Sequence, residues 1–214
     1  MNLKAIRIET GTVDAVQIPS LFESCGVAYH TLEKLNWPDR NPYLPSVSFA
    51  VAHNGDSMLI HYKVVEDSMK GDFPKDYQNV WEDSCCEFFI APADDGLYYN
   101  IECNCLGALY FCVGSGRNAR ERAPEEALAS IGRWTSEGSV PFGIRRGLCT
   151  WDAALVVPSS ALFVHKPLLN GAHMKCNVYK CGDTDYPHYV SFFPIDTAAP
   201  DFHRPEFFGN IDFE

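Results

Sequence analysis

Turn residues divide nearly the whole chain into apolar runs of strand length, and this spacing restricts the fold more than any single motif does. "SVSFAVA", "HNGDS" and "MLIHYKVVE" (46–66) read as two alternating β-forming segments around an Asn-Gly turn, a strong local signal for a hairpin. "CCEFFIAP", "ADDG" and "LYYNIECN" (85–104) repeat the pattern with a longer loop. Further strands are expected in "GALYFCVG", "LCTWDAALVVP", "MKCNVYKCG", "HYVSFFPI" and "FFGNIDFE". Helix is confined to "PEEALASI" (124–131), where Pro124 suits a first turn, and to one turn in "PSSALF" (158–163). Many short strands with Gly/Pro turns and almost no helix predict an all-β protein, an antiparallel sandwich or barrel. With 214 residues, 46% of them hydrophobic, residues 1–214 are expected to form one domain around one core.

Charge narrows the range of partners. Lys and Arg total 17 against 28 Asp and Glu, a formal net charge of -11, which repels phosphate backbones and anionic bilayers. Nucleic acid and membrane are therefore not expected as partners. The N-terminal "MNLKAIRIETGTVD" has no apolar leader core, so a cytoplasmic location is expected, or a periplasmic or secreted one if a leader has been removed. Nine cysteines, most of them in apolar runs and without C-x2-C spacing, read as free buried thiols rather than a zinc or disulfide framework.

Alternation along the strands then assigns faces. In "NVWEDSCCEFFI" (79–90) Trp81, Asp83, Cys85, Glu87 and Phe89 share one parity, and Ser84, Cys86, Phe88 and Ile90 the other. In the partner strand Tyr98, Asn100, Glu102 and Asn104 face away from the apolar set Tyr99, Ile101, Cys103 and Cys105. "KCNVYK" places Lys175, Asn177 and Tyr179 on the polar side. A wet face of an antiparallel sheet needs no function. Glu, Asn and Tyr beside Trp, however, suit a sugar, whose hydroxyls want planar donors and acceptors and whose C–H face wants a flat ring. Trp81 shares a ligand with Glu87 only if the chain before the strand folds back, because a straight strand separates them by about 20 Å. Trp134 and Trp151 are expected in the core, and Trp37 over an edge.

These segments resemble the family 9 carbohydrate-binding modules: "WEDSCCEFFI" opening a strand, then "YYNIECNCLG", "TWDAALVVPSSAL", "MKCNVYKC" and the closing "PDFHRPEFFGNIDFE". The resemblance runs from about Tyr29 to the end. It implies a DOMON-like β-sandwich that holds a sugar, in the family the reducing end of a glycan, between two aromatic rings above polar sheet residues. Carried over by position, Trp81 is the first ring and Glu87 the acid that follows it. The second ring is Phe202, where a tryptophan is expected, and Asn100 and Glu102 stand where basic residues are expected. Lys175 and Asn177 complete the expected ligand-binding set. No catalytic residue or cofactor is implied, although some family members bind structural calcium and the Asp-rich "APADDG" loop offers ligands for it. Two enzyme or redox alternatives remain: glycoside hydrolysis by a Glu87/Glu102 pair, and a haem-binding DOMON-type domain using Met or His ligands. A third is a protein-binding sandwich anchored on Trp81.

Overall fold

The computed structural model describes residues 2–118, 120–183 and 185–214. In chain order the strands are β1 (Leu3–Arg7), β2 (His30–Thr31), β3 (Lys34–Leu35), β4 (Ser46–His53), β5 (Ser57–Gly71), β6 (Cys85–Ala91) and β7 (Tyr98–Asn104). They continue with β8 (Leu109–Gly114), β9 (Glu121–Arg122), β10 (Gly132–Thr135), β11 (Gly143–Pro158), β12 (His173–Gly182), β13 (His188–Ser191) and β14 (Gly209–Phe213). Two short helices, α1 (Ile18–Cys25) and α2 (Glu125–Ser130), complete the regular structure together with 3-10 turns. One of those turns is the expected one at Ser159–Ala161, while Pro124 sits at the N-cap of α2, just before its first turn.

The strands form the two sheets of a β-sandwich. One sheet runs β9-β8-β7-β6-β12-β14, and the other runs β4-β5-β11-β10, with β1 joining them. Strand β1 pairs in parallel with both: Leu3–Ala5 lie against Ile211–Phe213, and Ile6–Arg7 against Ala52–His53. This N-terminal strand and α1 were not expected from the sequence. Two or three apolar positions in a five-residue segment give a weak periodic signal, and parallel pairing with remote strands leaves no local trace. The helix starts with Pro19 in its first turn and stops at Gly26, whose φ of 65° lies in the left-handed region that glycine adopts without strain. Its Ile18 and Phe22 cover Ala50, Ala52, Leu59, Ala154 and Val156 on the outer face of the second sheet.

Between the sheets lies the main core. Val47, Phe49, Ile60, Tyr62, Val64 and Leu155 of one sheet meet Phe88, Ile90, Tyr99, Ile101, Phe111 and Val178 of the other. The hairpin β4–β5 turns at Asn54-Gly55 as expected: the Asn54 Oδ1 accepts from Asp56 N (3.2 Å) and Ser57 N (2.8 Å). Trp151 is buried as expected, whereas Trp134 is only half-buried and borders an open depression with Lys75, Asp76 and Arg133. All nine cysteines are free, and seven are buried.

A charged cluster crosses this core. Lys180 falls on the core-facing parity of β12 and is fully buried, as is Glu66 of β5 on the opposite sheet. Lys180 Nζ lies 2.9 Å from Glu66 Oε2, and Trp151 Nε1 donates to Glu66 Oε1 at 2.6 Å. The ammonium also donates to the Cys181 carbonyl (2.7 Å) and to His188 Nε2 (2.9 Å). Burial opposes the charged form of Lys180, but the Glu66 carboxylate and its hydrogen bond override that and hold the pKa above its ordinary value. Burial and the Lys180 charge push His188 down to about 2. The ring is therefore neutral, with Nε2 accepting from Lys180 and Nδ1 donating to the Tyr186 carbonyl at 2.7 Å. Removing one partner strands a buried charge, so Lys180→Met is expected to cost about 3–5 kcal/mol in denaturant unfolding. The double variant Glu66→Gln/Lys180→Met, which keeps an acceptor for Trp151, is expected to recover much of that loss. A single-variant cost below about 1 kcal/mol would show that the cluster does not hold the sheets together.

Candidate functional site

The outer face of the first sheet carries the polar row, and the parity argument places its members correctly. Glu87 pairs directly across the strands with Glu102 on one side and with Tyr179 on the other, and Phe89 pairs with Asn100. This is not a wet face. Asn100, Asn104 and Asn177 are fully buried, Glu87 is 3% exposed and Glu102 4% exposed. The chain folds back over the sheet in two places, the turn Val80–Glu82 and the segment that ends in the turn Pro205–Phe207.

The first of these folds answers the distance problem for Trp81. Strand β6 does not begin at Trp81; a 3-10 turn precedes it and bends the ring over the sheet. Asp83 fixes that turn: its carboxylate accepts from Asp72 N (3.0 Å), Phe73 N (2.9 Å) and Asn104 Nδ2 (2.8 Å). Asp83 and Asn104 are thus structural acids and amides of the row, spent on holding the chain. Trp81 is half-buried and meets Tyr110 edge to face, with centroids 5.3 Å apart.

Beneath Trp81 lies a cavity of about 480 Å³. The sheet contributes Glu87, Asn100, Glu102, Tyr110, Cys181 and Tyr189; the loops contribute Trp81, Arg117, Arg120, Asp183, Phe202 and His203. Of the seven residues expected from the sequence, the structure therefore brings five together: Trp81, Glu87, Asn100, Glu102 and Phe202. Lys175 and Asn177 are not among them. Lys175 lies at the far end of β12, opposite Ala91, and borders a separate depression with Asp94 and Asn210. Six residues of strand put it about 20 Å from Cys181. Asn177 spends its amide on the chain, accepting from Phe193 N (3.0 Å) and Val178 N (2.9 Å) and donating to the Phe193 carbonyl (3.0 Å). That clasp seats the Phe193 ring against Gly209, where even a β-carbon would come within 2.2 Å of it.

Phe202 reaches the cavity as a largely packed ring. One of its faces stacks on Tyr179 (centroids 4.2 Å apart, planes 10° apart), Tyr189 meets it edge-on at 5.7 Å, and it is 8% exposed. Tyr110 and Tyr189 are additional aromatic walls that the sequence reading did not name.

Cys181, Asp183, His203, Arg117 and Arg120 also line the cavity without having been named for it, and the two arginines change its chemistry most. Both come from the "SGRNAR" stretch after β8, whose two arginines in a Gly/Ser-rich turn next to a polar-faced strand are the signal to look for. Arg120 is clamped. It donates to Asn100 Oδ1 from Nε (2.9 Å) and Nη2 (2.6 Å) and to the Gly116 carbonyl from Nη1 (2.9 Å), and it stacks 4.3 Å above the Tyr98 ring. Asn100 Nδ2 in turn donates to Glu102 Oε1 at 2.7 Å. Arginine, amide and carboxylate thus form one chain.

Burial pushes Glu102 up to about 7, against the opposing pull of Asn100, Arg120 and Arg117. Burial, with the neighbouring Cys181 and Glu102, pushes Glu87 well above the ordinary carboxylate range. Both carboxyls are held above their ordinary range, so the cavity floor favours the protonated form and offers a donor as well as acceptors. His203 is hydrogen-bonded to the Tyr98 hydroxyl through Nδ1 (2.8 Å); burial and the two arginines push it down to about 3, so it faces the cavity neutral.

A profile described as carbohydrate-binding family 9 matches residues 16–213. The chain belongs to that family. No curated protein matches it. Among solved structures, a candidate carbohydrate-binding protein from Bacteroides uniformis is 42% identical over 100% of this chain and 99% of its own, with a TM-score of 0.95. A family 9 module from Caldicellulosiruptor kristjanssonii in complex with glucose is 12% identical, covering 100% of this chain and 96% of its own, with a TM-score of 0.63. The module from the same organism in complex with cellotriose is 11% identical, covering 100% and 94%, with a TM-score of 0.64. At 11–12% identity these last two establish the shared sandwich fold.

The raised carboxylate has a measurable consequence. An unfolded glutamate loses its proton near pH 4.3, so between about pH 5 and 8 the folded chain holds protons at Glu102 that the unfolded chain has lost. Glu102 therefore withdraws stability as the pH rises through that window. Neutral His188 and His203 act in the opposite direction below about pH 6.5, so the informative quantity is a difference. The melting temperature of Glu102→Gln is expected to gain on wild type progressively from pH 5 to 8; a constant difference would show that Glu102 is ionised throughout.

Proposed function

We propose that the cavity binds a mono- or oligosaccharide, with preference for the reducing end of a glycan, and that the chain acts on it as a binding module without catalysis. One observation carries this reading: a cavity of small-molecule size whose polar groups are planar and held from behind, and whose walls are aromatic. Trp81 offers the ring for stacking on the C–H face of a pyranose, and Phe202, with Tyr189, the opposing apolar wall. The Glu87–Glu102 pair accepts hydrogen bonds from sugar hydroxyls and, through a retained proton, donates one to a sugar oxygen. Asn100 and Arg120 are already fixed by their mutual hydrogen bonds, so little side-chain freedom is lost on binding. Membership of a carbohydrate-binding family, and the sugar complexes of two proteins that share the fold, support the same reading.

Tryptophan fluorescence titrated with glucose, xylose, galactose, cellobiose and cellobiitol tests it. Saturable change is expected with the reducing sugars and not with the alditol, and NMR of the incubated sugar is expected to show it unhydrolysed. Trp81→Ala is expected to weaken binding at least tenfold, a loss of about 1.4 kcal/mol, while shifting the melting temperature by no more than about 2–4 °C. A flat response to every sugar would sink the proposal, and a large stability loss in Trp81→Ala would make that ring a packing residue instead.

A further inference from the structure

Three donor side chains converge at one corner of the cavity. Cys85 and Cys181 are direct cross-strand partners on β6 and β12, and Glu87 lies two residues along β6 on the same face. The two sulphurs and a carboxylate oxygen all fall within 4.8 Å of one another. Cys181 Sγ donates to Glu87 Oε1 at 3.1 Å and also approaches the Trp81 carbonyl at 3.6 Å. Glu87 and Cys181 line the cavity and Cys85 lies behind them; their exposures are 3%, 3% and 0%. Two thiols and a carboxylate are more than a sugar site requires.

The spacing fits a metal ion. Zinc takes thiolate sulphur at about 2.3 Å and carboxylate oxygen at about 2.0–2.2 Å, so the ligand atoms of a tetrahedral centre stand about 3.5–3.8 Å apart. To reach that size the Cys181–Glu87 separation of 3.1 Å would open slightly, and any of the others, all within 4.8 Å, that exceed it would close. Paired sulphur donors select a thiophilic cation and disfavour calcium or magnesium. Three protein ligands with a fourth position left open make a centre that accepts an exogenous oxygen. We propose that Cys85, Glu87 and Cys181 form a binding site for a thiophilic divalent cation of the zinc class, with its fourth coordination position open to the cavity. Binding releases the two thiol protons, and the carboxyl proton where it is present, to solvent, and involves no change of oxidation state. The ion would then meet a sugar hydroxyl directly, although the metal site itself stands independently of the sugar reading.

Cobalt(II), an absorbing stand-in for zinc, tests the site in full-length reduced protein carrying Cys25→Ser and Cys149→Ser, which removes the two thiols outside the core. One equivalent is expected to give tetrahedral d–d bands and a thiolate-to-cobalt charge-transfer band, both abolished by zinc. Cys85→Ser and Cys181→Ser are each expected to lower the charge-transfer intensity and to weaken binding at least tenfold. Glu87→Gln is expected to weaken binding while keeping the thiolate band, with circular dichroism confirming the fold of each variant. Should one cysteine variant fail to fold, the other, together with the thiolate intensity of the parent protein, decides the matter. The proposal is overturned by the absence of saturable binding or by binding that survives both cysteine substitutions. Because no sugar is present, failure here leaves the proposed sugar binding untouched.

Discussion

The register of β12 is the constraint on which the rest of the molecule depends. Side chains alternate across a strand, so a slip of one residue exchanges every group between the core and the outer face. On β12 that slip would move Lys180 out of the core and drive Cys181 and Tyr179 into it. The Lys180–Glu66 ion pair, completed by Trp151 and His188, makes the exchange costly: Glu66 would be left buried without its cation. In burying a charge where apolar packing would serve, the fold ties one sheet to the other at a defined residue pair. It thereby settles which β12 side chains reach the cavity.

From that register the site follows in steps. Strand β6 pairs with β12 so that Glu87 stands beside Tyr179 and Cys85 beside Cys181; β7 then sets Glu102 against Glu87. None of these polar groups faces open water, because two returning segments cover the sheet. Each cover is held by hydrogen bonds to the row itself: Asp83 and Asn104 hold the turn that carries Trp81, and Asn177 holds the chain at Phe193. The row thus divides its labour. Its ends anchor the loops, and its middle, Asn100, Glu102 and Glu87, lines the cavity.

Alternation made much of this legible in the sequence. The hairpins and the faces of β6 and β7 follow from a period of two and from turn chemistry, both of which are local, whereas Trp81 reaches the cavity on a 3-10 turn that alternation does not describe. What escaped was non-local. Lys180 sits on an apolar parity and Glu66 ends an apolar run; only the packing of one sheet on the other explains either. Arg120 comes from a loop, and loops follow no period. Lys175 and Asn177 were assigned to the correct face but not to a position along it, since parity says nothing of how far down a strand a cavity extends. Phe202 was placed by position, and its face-to-face packing on Tyr179 could not be anticipated from spacing. The parallel seam made by β1 joins residues at opposite ends of the chain.

The most direct test of the account is a crystal structure of the protein soaked with a reducing disaccharide. The account predicts one sugar ring against Trp81, with its hydroxyls within hydrogen-bond distance of Glu87, Glu102 and the Asn100–Arg120 pair. Sugar found instead in the open depression beside Trp134, with the cavity over the carboxylate pair empty, would contradict it.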